Sequence, residues 1–275
     1  KGYFLFFSLF SILMGFVVFT RPEKPAYRTV WIFLICIFPL YGAVLYFLMA
    51  NKKLGYFSRK KTEAFRRSLP REDSIPPNAD EELYALSPEF RKLSLFVRNS
   101  TGMSAWVDTE CTYFEYADAF FIDLLEEVRG AKRFIFIEYF IIGEGHWWSL
   151  ILSELEKKVQ EGVDVRVIYD DMGSISSLPK HYDRKLRAKG IKTVVFNRVR
   201  FHFNPRLNFR DHRKIFDIDG NICYTGGLNL SDEYSNDVIR FGYWKDNAVK
   251  IKGSAVMNFT FLFLEMWMGV AGGEA

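Results

Sequence analysis

The sequence predicts an α/β fold that is preceded by a two-helix transmembrane hairpin. Two runs of 18 and 21 residues without a charge, 2–19 and 29–49, lie near the beginning of the chain. About 20 apolar residues span the hydrocarbon core of a bilayer. Farther along, strand and helix patterns alternate, which favours a mostly parallel sheet with helices on both faces. We therefore divide the chain into a membrane hairpin at 1–50, a basic juxtamembrane segment and linker at 51–110, and an α/β half at 111–275.

The flanks of the hairpin predict its orientation. A cleaved signal peptide is disfavoured, because no small-x-small cleavage site precedes the polar connection 20–28 and a second apolar run follows at once. Segment 51–71 carries eight basic residues against the single acid Glu63, a larger excess than the connection has. Positive residues favour the cytoplasmic side. We therefore expect a multi-pass protein of the cell membrane whose α/β half faces the cytoplasm.

The positive charge is confined to one part of the chain. The net charge is +4, but residues 1–72 hold 12 basic and 3 acidic residues, whereas the remaining 203 hold 25 and 30. Basic residues beside apolar runs favour anionic lipid headgroups over nucleic acid as partners. The three cysteines lack CxxC spacing, and the four histidines lack a ligand partner at i+3 or i+4. The sequence thus predicts no disulfide framework, no metal and no other cofactor.

Hydrophobic periodicity and turn residues place the elements of the α/β half. A helix is expected to begin at Ser87 and Pro88, since serine is a good N-cap and proline fits the first helical position. Apolar residues at helical or strand spacing predict the elements that follow. The helices are 118–130, 148–160, 181–189 and 254–267, and the strands are 133–142, 163–169, 192–196, 215–218, 222–225 and 248–251.

The stretch 208–229 concentrates groups that can bind and attack a phosphodiester. His212 and Lys214 are two residues apart, so on an extended strand they point to the same face. An imidazole and an ammonium group can therefore converge on one anion. A phosphodiester requires a nucleophile together with cationic, neutral and backbone donors to its oxygens.

The second part of this stretch supplies a turn and further donors. Asp219 and Gly220 begin a sequence typical of a hairpin turn between two strands. Gly226 and Gly227 allow the backbone to approach a ligand closely. Asn229 then adds a side-chain amide donor beside the pair of basic residues.

The complete string resembles the His-x-Lys-x4-Asp signature of the phospholipase D superfamily, including its downstream Gly-Gly-x-Asn. The flanking segments 207–214, 232–234 and 242–246 are similar to those of bacterial cardiolipin synthases. This resemblance implies a phospholipase D-like α/β/α sandwich, in which a full member has two halves with one string each and the active site between them. None of the other three histidines has Lys at i+2. The resemblance therefore implies a first half, whose second half-site comes from outside these residues or from a homodimer.

The resemblance also implies catalytic roles. His212 is the candidate nucleophile, or else the acid partner of a second histidine, because one imidazole cannot attack phosphorus and protonate the leaving group in the same step. Lys214 is expected to hold a non-bridging phosphate oxygen. Asp219 is assigned as a third catalytic residue that braces the site, and the alternative is that it only starts the turn.

Further residues are expected to support this centre. Asn229 and Gly227 are assigned to phosphate binding. Asp246 is a candidate for orienting His212 through its other ring nitrogen. Glu138 and Asp170 could line the cleft, but a lone acid in an apolar strand more often has a structural partner, so neither is assigned a role.

Asp217 departs from the family pattern, which usually has an apolar residue at this strand position. A carboxylate on the face opposite Lys214 is expensive to bury without a partner. We expect either that this face is wetter than usual or that Asp217 has a specific partner.

The implied function is that of a membrane-bound phosphatidyltransferase, a cardiolipin synthase. Two phosphatidylglycerol molecules would give cardiolipin and glycerol through a phosphatidyl-histidine intermediate, and other anionic phospholipids would also be partners. The 275 residues alone would be inactive unless two half-sites pair. Two alternatives stay open at this point: a phospholipase D-type phosphodiesterase that uses water, and a non-catalytic, lipid-binding membrane scaffold.

Overall fold

The computed structural model describes residues 2–21, 25–49, 79–199, 210–240 and 242–271. The first two of these ranges belong to one compact unit and the other three to a second. The basic segment that was used to predict the orientation lies outside the described residues, as does His202.

The described residues of the first unit form three helices: α1 (Gly2–Phe19), α2 (Pro25–Ile37) and α3 (Pro39–Met49). Their shared core includes Val18, Ile35 and Tyr46. The prediction of a single helix over 29–49 is wrong. The helix is interrupted at Phe38, because the following residue, Pro39, has no N–H to continue the hydrogen-bonding pattern. Within the described ranges, no helix is both long enough and apolar enough to cross a membrane, so the predicted transmembrane hairpin is not supported.

The described part of the second unit begins with two helices, α4 (Ala79–Leu86) and α5 (Pro88–Thr101). The backbone N–H of Glu89 donates to the Ser87 hydroxyl at 3.2 Å, and Pro88 occupies the first turn. Both features confirm the predicted helix start. Helix α5 ends at Gly102, whose φ of 77° lies in the left-handed region that glycine adopts most readily.

A seven-stranded mixed sheet forms the centre of this unit, in the order β1-β7-β6-β5-β2-β3-β4. The strands are β1 (Thr109–Phe114), β2 (Phe134–Tyr139), β3 (Asp164–Asp170), β4 (Lys192–Phe196), β5 (Ile215–Ile218), β6 (Ile222–Gly226) and β7 (Ala248–Gly253). Only the β2–β3 and β3–β4 pairs are parallel. The predicted mostly parallel sheet is therefore wrong, because the β1–β7, β2–β5, β5–β6 and β6–β7 pairs are antiparallel. The predicted hairpin between β5 and β6 is confirmed, since so tight a turn can join only antiparallel strands.

Five helices and one 3₁₀ turn accompany the sheet: α6 (Ala117–Gly130), α7 (His146–Gln160), α8 (Asp171–Ser174), α9 (Tyr182–Ala188), the 3₁₀ turn Asp232–Tyr234 and α10 (Val256–Ala271). Helix α7 connects β2 to β3, and α8 and α9 connect β3 to β4. These crossovers confirm the predicted alternation of strands and helices. They also leave the carboxyl ends of β2 and β3 side by side.

The sheet is covered on both faces, as a sandwich requires. Leu124 of α6 and Leu155 of α7 are buried in one core with Ile137 of β2. Phe263 of α10 is buried in another core with Phe136. Neighbouring residues of β2 thus face opposite layers, which is the normal alternation of a strand.

Asp217 of β5 faces the α10 layer and has no exposed surface. The Thr260 hydroxyl lies 2.5 Å from one carboxyl oxygen, and the Gly220 N–H donates to the other at 3.0 Å. Of the two expectations for this residue, the specific partner is correct. Burial raises the pKa of Asp217 to about 7, against the opposing effect of these hydrogen bonds.

Candidate active site

His212 and Lys214 lie in the segment that leads into β5, and their side chains are in contact. The Lys214 Nζ is 3.0 Å from His212 Nδ1 and 3.3 Å from Nε2, and it donates to the His212 carbonyl oxygen at 2.8 Å. Lys214 is buried, whereas His212 is exposed. The structure thus brings these two predicted residues together, with the imidazole on the solvent side of the ammonium group.

Phe140, which follows β2, forms an apolar wall for this pair. Its ring centroid is 4.7 Å from that of His212, at a tilt of 51°. The Lys214 Nζ lies 5.7 Å from the Phe140 centroid, within the range of a cation–π interaction. The aromatic ring restricts the imidazole and removes water from one side of it.

The electrostatic environment favours a neutral imidazole. Partial desolvation of the exposed His212 ring lowers its pKa below the usual 6.5, and the neighbouring Lys214 charge lowers it further, against the opposing effects of Asp211 and Asp170. Burial also lowers the pKa of Lys214, against the attraction of Asp246 and Asp211. An uncharged imidazole has the lone pair that a nucleophile needs.

Asn229 is buried in the loop after β6, and its amide makes two contacts. Its Oδ1 accepts from the Ile141 N–H at 3.0 Å, and its Nδ2 donates to the Tyr234 hydroxyl at 2.6 Å. These bonds tie the loop after β6 to the segment that follows β2. Phosphate binding by Asn229 stays a prediction that depends on its second amide hydrogen.

Gly227 and Asp246 lie against each other. A Cβ on Gly227 would lie 1.9 Å from an oxygen of the Asp246 carboxyl group, so a larger residue there would require the Asp246 side chain to move. Asp246 accepts from the Asn247 N–H at 2.8 Å. Its charge acts on Lys214, whereas the acids that act on His212 are Asp211 and Asp170. The orienting role predicted for Asp246 therefore stays a prediction.

Asp219 lies at the opposite end of β5 from the His212–Lys214 pair, on the order of 16 Å away at about 3.3 Å per residue. Its φ is 57°, and its carboxyl oxygens accept from the backbone N–H groups of Lys132, Arg133 and Phe134 at 2.8, 2.7 and 2.9 Å. The structure thus separates Asp219 from the proposed chemistry. Its contacts are those of a residue that stabilises the turn and the start of β2.

We therefore expect Asp219→Asn to affect stability and not turnover. Asparagine tolerates a positive φ and keeps one acceptor oxygen, so the change isolates the loss of the other oxygen. The expected cost is about 1–2 kcal/mol of unfolding free energy, the range for a lost cap-like hydrogen bond. Chemical denaturation measures the cost, and an assay well below the melting temperature measures turnover. A large loss of turnover in a fully folded variant would restore Asp219 to the mechanism.

An acidic and basic cluster lies next to His212 and was not assigned from the sequence. Asp170, at the end of β3, is fully buried; it accepts from Arg210 Nη1 at 3.1 Å and from the Asp211 N–H at 3.2 Å. Glu138, at the end of β2, is also fully buried, and the Arg213 Nε lies 2.6 Å away. Position at the carboxyl ends of adjacent parallel strands is the signal that could have identified both acids.

Two cavities that are lined by described residues do not include His212 or Lys214 in their lining. A pocket of about 170 Å³ lies beside Asp246 and is lined by Tyr116, Tyr234 and Trp244 among others. A larger groove of about 480 Å³ lies along β4, near Lys192 and Trp267, away from the His212–Lys214 pair. The contact between His212 and Lys214, and not the size of a cavity, therefore marks the candidate site. Within the part of the chain that the structure describes, no group of three acidic, His or Cys side chains could hold a metal ion.

The chain is similar to known proteins over most of its length. Residues 124–267, more than half of the chain, match the family described as "Cardiolipin synthase, PLD-like domain". An uncharacterized protein of Streptococcus mutans is 39% identical over 245 residues, which cover 86% of this chain and 51% of that protein. Proteins described as "Cardiolipin synthase 2" from Staphylococcus epidermidis and Bacillus anthracis are each 31% identical, over 94% and 97% of this chain and 54% and 52% of theirs. The chain spans about half the length of the curated relatives it matches.

Solved structures are more distant. NucT from Helicobacter pylori has 15% identity and a TM-score of 0.46, over 59% of this chain and 98% of its own. Nuc from Salmonella typhimurium, described as a phospholipase D family member, has 18% identity and a TM-score of 0.42, over 60% and 94%. These likenesses are too weak to carry an argument. The family match over residues 124–267 confirms the predicted resemblance: the chain belongs to the cardiolipin synthase family with a phospholipase D-like domain.

Proposed function

We propose that this chain provides one half-site of a phosphatidyltransferase that makes cardiolipin and glycerol from two phosphatidylglycerol molecules. The observation that carries the proposal is the contact between an exposed imidazole and a buried ammonium group at the entrance to β5. The pair combines a nucleophile with a cation fixed by burial, which is the minimum a phosphodiester requires. The family match and the relatives described as cardiolipin synthases support the choice of reaction.

In the first step, the lone pair of a His212 ring nitrogen attacks the phosphorus of one phosphatidylglycerol. A nitrogen–phosphorus bond forms, and the bond from phosphorus to the terminal glycerol oxygen breaks. That oxygen takes a proton from a second acid and leaves as glycerol. Lys214 exchanges its contact with the imidazole for one with a non-bridging oxygen, where its charge stabilises the transition state.

In the second step, a hydroxyl oxygen of another phosphatidylglycerol attacks the phosphorus. The group that protonated glycerol now removes the hydroxyl proton, and the nitrogen–phosphorus bond breaks to release His212 and cardiolipin. His212 cannot supply that proton while it is the nucleophile. We propose that the acid is a histidine of a second half-site, which is either part of a longer chain or a second copy of this one.

The substrates place this reaction at a membrane surface. Both the donor and the acceptor are anionic phospholipids, so the enzyme must reach a lipid headgroup layer. An enzyme that is confined beside that layer meets the second lipid at a higher effective concentration than it would meet an alcohol dissolved in water. We therefore propose the cell membrane as the place of action, with the catalytic site on the cytoplasmic side.

Product analysis tests the proposed reaction. The full-length protein, given phosphatidylglycerol labelled in its terminal glycerol and in its acyl chains, should release free glycerol and form labelled cardiolipin in equal amounts. Phosphatidic acid as the sole lipid product would assign water as the acceptor and overturn the transferase. Tight binding to phosphatidylglycerol vesicles without any product would assign a scaffold.

The pH dependence of kcat/KM tests the protonation state of the nucleophile. His212 attacks only when neutral, so activity should fall as the pH drops through its pKa. Partial desolvation and the Lys214 charge hold that pKa below 6.5, so the midpoint of the acidic limb should lie below pH 6.5. An acidic limb with its midpoint above 6.5 would contradict a neutral His212 nucleophile in this environment.

A further inference from the structure

Three carboxyl groups from separate parts of the chain meet next to His212, and the reaction above uses none of them. Glu138 belongs to β2, Asp170 ends β3, and Asp211 immediately precedes His212. Glu138 and Asp170 have no exposed surface, and Asp211 is 5% exposed. Buried acids at such a position require a physical account, because a buried charge without a partner is costly.

Among the described residues, the cations around this cluster do not balance the acids. Arg210 Nη1 is 3.1 Å from Asp170, and Arg213 Nε is 2.6 Å from Glu138 and 3.5 Å from Asp211. Lys214 also acts on Asp211, but its stronger attraction is to Asp246. With the partly exposed Asp246, four carboxyl groups of the described residues therefore face three cations and a neutral imidazole. Full ionisation of these four groups would leave one negative charge in excess among the described residues.

The hydrogen bonds indicate which carboxyl group carries the extra proton. Three buried carboxyl oxygens have no hydrogen-bond donor among the described residues: both oxygens of Glu138 and Oδ2 of Asp211. Arg213 lies close enough to Glu138 to form an ion pair, but it does not meet the angular requirement of a hydrogen bond. Asp170, by contrast, accepts from two backbone N–H groups of α8 and from Arg210. One proton on Glu138 would let its O–H donate a hydrogen bond to the Asp211 carboxylate, so that both carboxyl groups gain a hydrogen-bond partner. Burial and the nearby Asp211 also raise the pKa of Glu138 well above its usual value.

We propose that Glu138 and Asp211 share one proton, so that the pair presents a single negative charge to the His212 imidazole and Glu138 acts as a positioning residue for it. The Glu138 O–H fixes the Asp211 carboxylate, and Asp211 in turn is adjacent in the chain to His212. Asp211 supports a higher proton affinity of the imidazole, which opposes the effect of Lys214. The importance of this pair for catalysis rests on the proposed function. The shared proton is inferred from burial and hydrogen bonding and does not depend on that function.

Titration of His212 by nuclear magnetic resonance tests the proposal without turnover. The full-length protein is labelled with ¹⁵N-histidine, and the His212 signal is assigned by its loss in His212→Gln. Asp211→Asn removes the negative charge and should lower the His212 pKa by up to about one unit, the lower end of the effect of a close opposite charge. Glu138→Gln replaces a neutral acid by a neutral amide donor and should leave the titration midpoint where it is in the wild type.

The controls make the result decisive. Glu115→Gln, at an exposed acid paired with Lys245, should not move the midpoint. A fall in the His212 pKa in Glu138→Gln equal to that in Asp211→Asn would show that Glu138 is ionised and would overturn the proposal. If Asp211→Asn does not fold, the infrared carbonyl band of a protonated carboxyl group decides. The contribution of Glu138 should add to that of Asp217 in the wild type near pH 6 and be lost in Glu138→Gln, while the Asp217 contribution stays. A difference spectrum of wild type and Glu138→Gln without a lost band would also overturn the proposal.

Discussion

Replacement of His212 by alanine is expected to lower turnover by at least about 10³-fold while the protein stays folded. The loss is large because the substitution removes the nucleophile, and the remaining binding groups cannot form the covalent intermediate. The fold should tolerate the change, since His212 is exposed and its ring contacts mainly Phe140 and Lys214. Steady-state conversion of phosphatidylglycerol and the melting temperature measure the two effects separately.

A second histidine provides the matched control for this variant. His181 is exposed and has a φ of 62°, a backbone conformation that asparagine tolerates well. His181→Asn should keep full turnover, because its loop has no part in the proposed site. Turnover in His212→Ala that equals that of His181→Asn would remove His212 from the mechanism.

Asp217→Asn is expected to remove a pH dependence of stability that the wild type shows. The folded protein holds the Asp217 carboxyl group protonated up to about pH 7, whereas its ordinary pKa is 3.8. As the pH rises from about 4 to 7, the unfolded chain ionises this group and the folded one does not, so wild-type stability falls over that window. The integrated loss is on the order of 4 kcal/mol, at 1.36 kcal/mol per pKa unit, before any relaxation of the site.

The amide of asparagine reproduces the neutral form of this carboxyl group. It can accept from the Gly220 N–H and donate to the Thr260 hydroxyl, so both contacts survive. The melting temperatures of variant and wild type should be similar near pH 4 and differ by about 10 °C in favour of the variant near pH 8. Asp118→Asn, at an exposed acid of α6, should follow the wild type. Parallel curves for Asp217→Asn and wild type would mean that Asp217 is already ionised in the folded state.

Sequence patterning predicted the buried strands of the sheet and missed its exposed edge strand. The apolar strands β2 and β3 and the helix α7 between them were predicted, because their periodicity reflects burial on both sides. The polar strand β1 was missed, since it lies at an edge and most of its residues are exposed. The direction of β5 relative to β2 is a tertiary property, which no local pattern encodes.

The candidate site was predicted in part for a similar reason. The i, i+2 spacing of His212 and Lys214 was enough to predict their contact, because an extended chain fixes that geometry. The same string also contains Asp219, but four strand residues carry it to the other end of β5. Glu138 and Asp170 come from strands far away in the chain, so only the folded sheet shows that they lie next to His212.

The most direct test of the account is the identity of the covalent intermediate. The full-length protein is mixed with phosphatidylglycerol labelled at phosphorus and quenched during turnover at alkaline pH, where a nitrogen–phosphorus bond survives. Digestion and mass spectrometry should then find the phosphatidyl group on the peptide that contains His212, and acid should release it. Label on any other residue, or steady turnover without a labelled peptide, would contradict attack by His212.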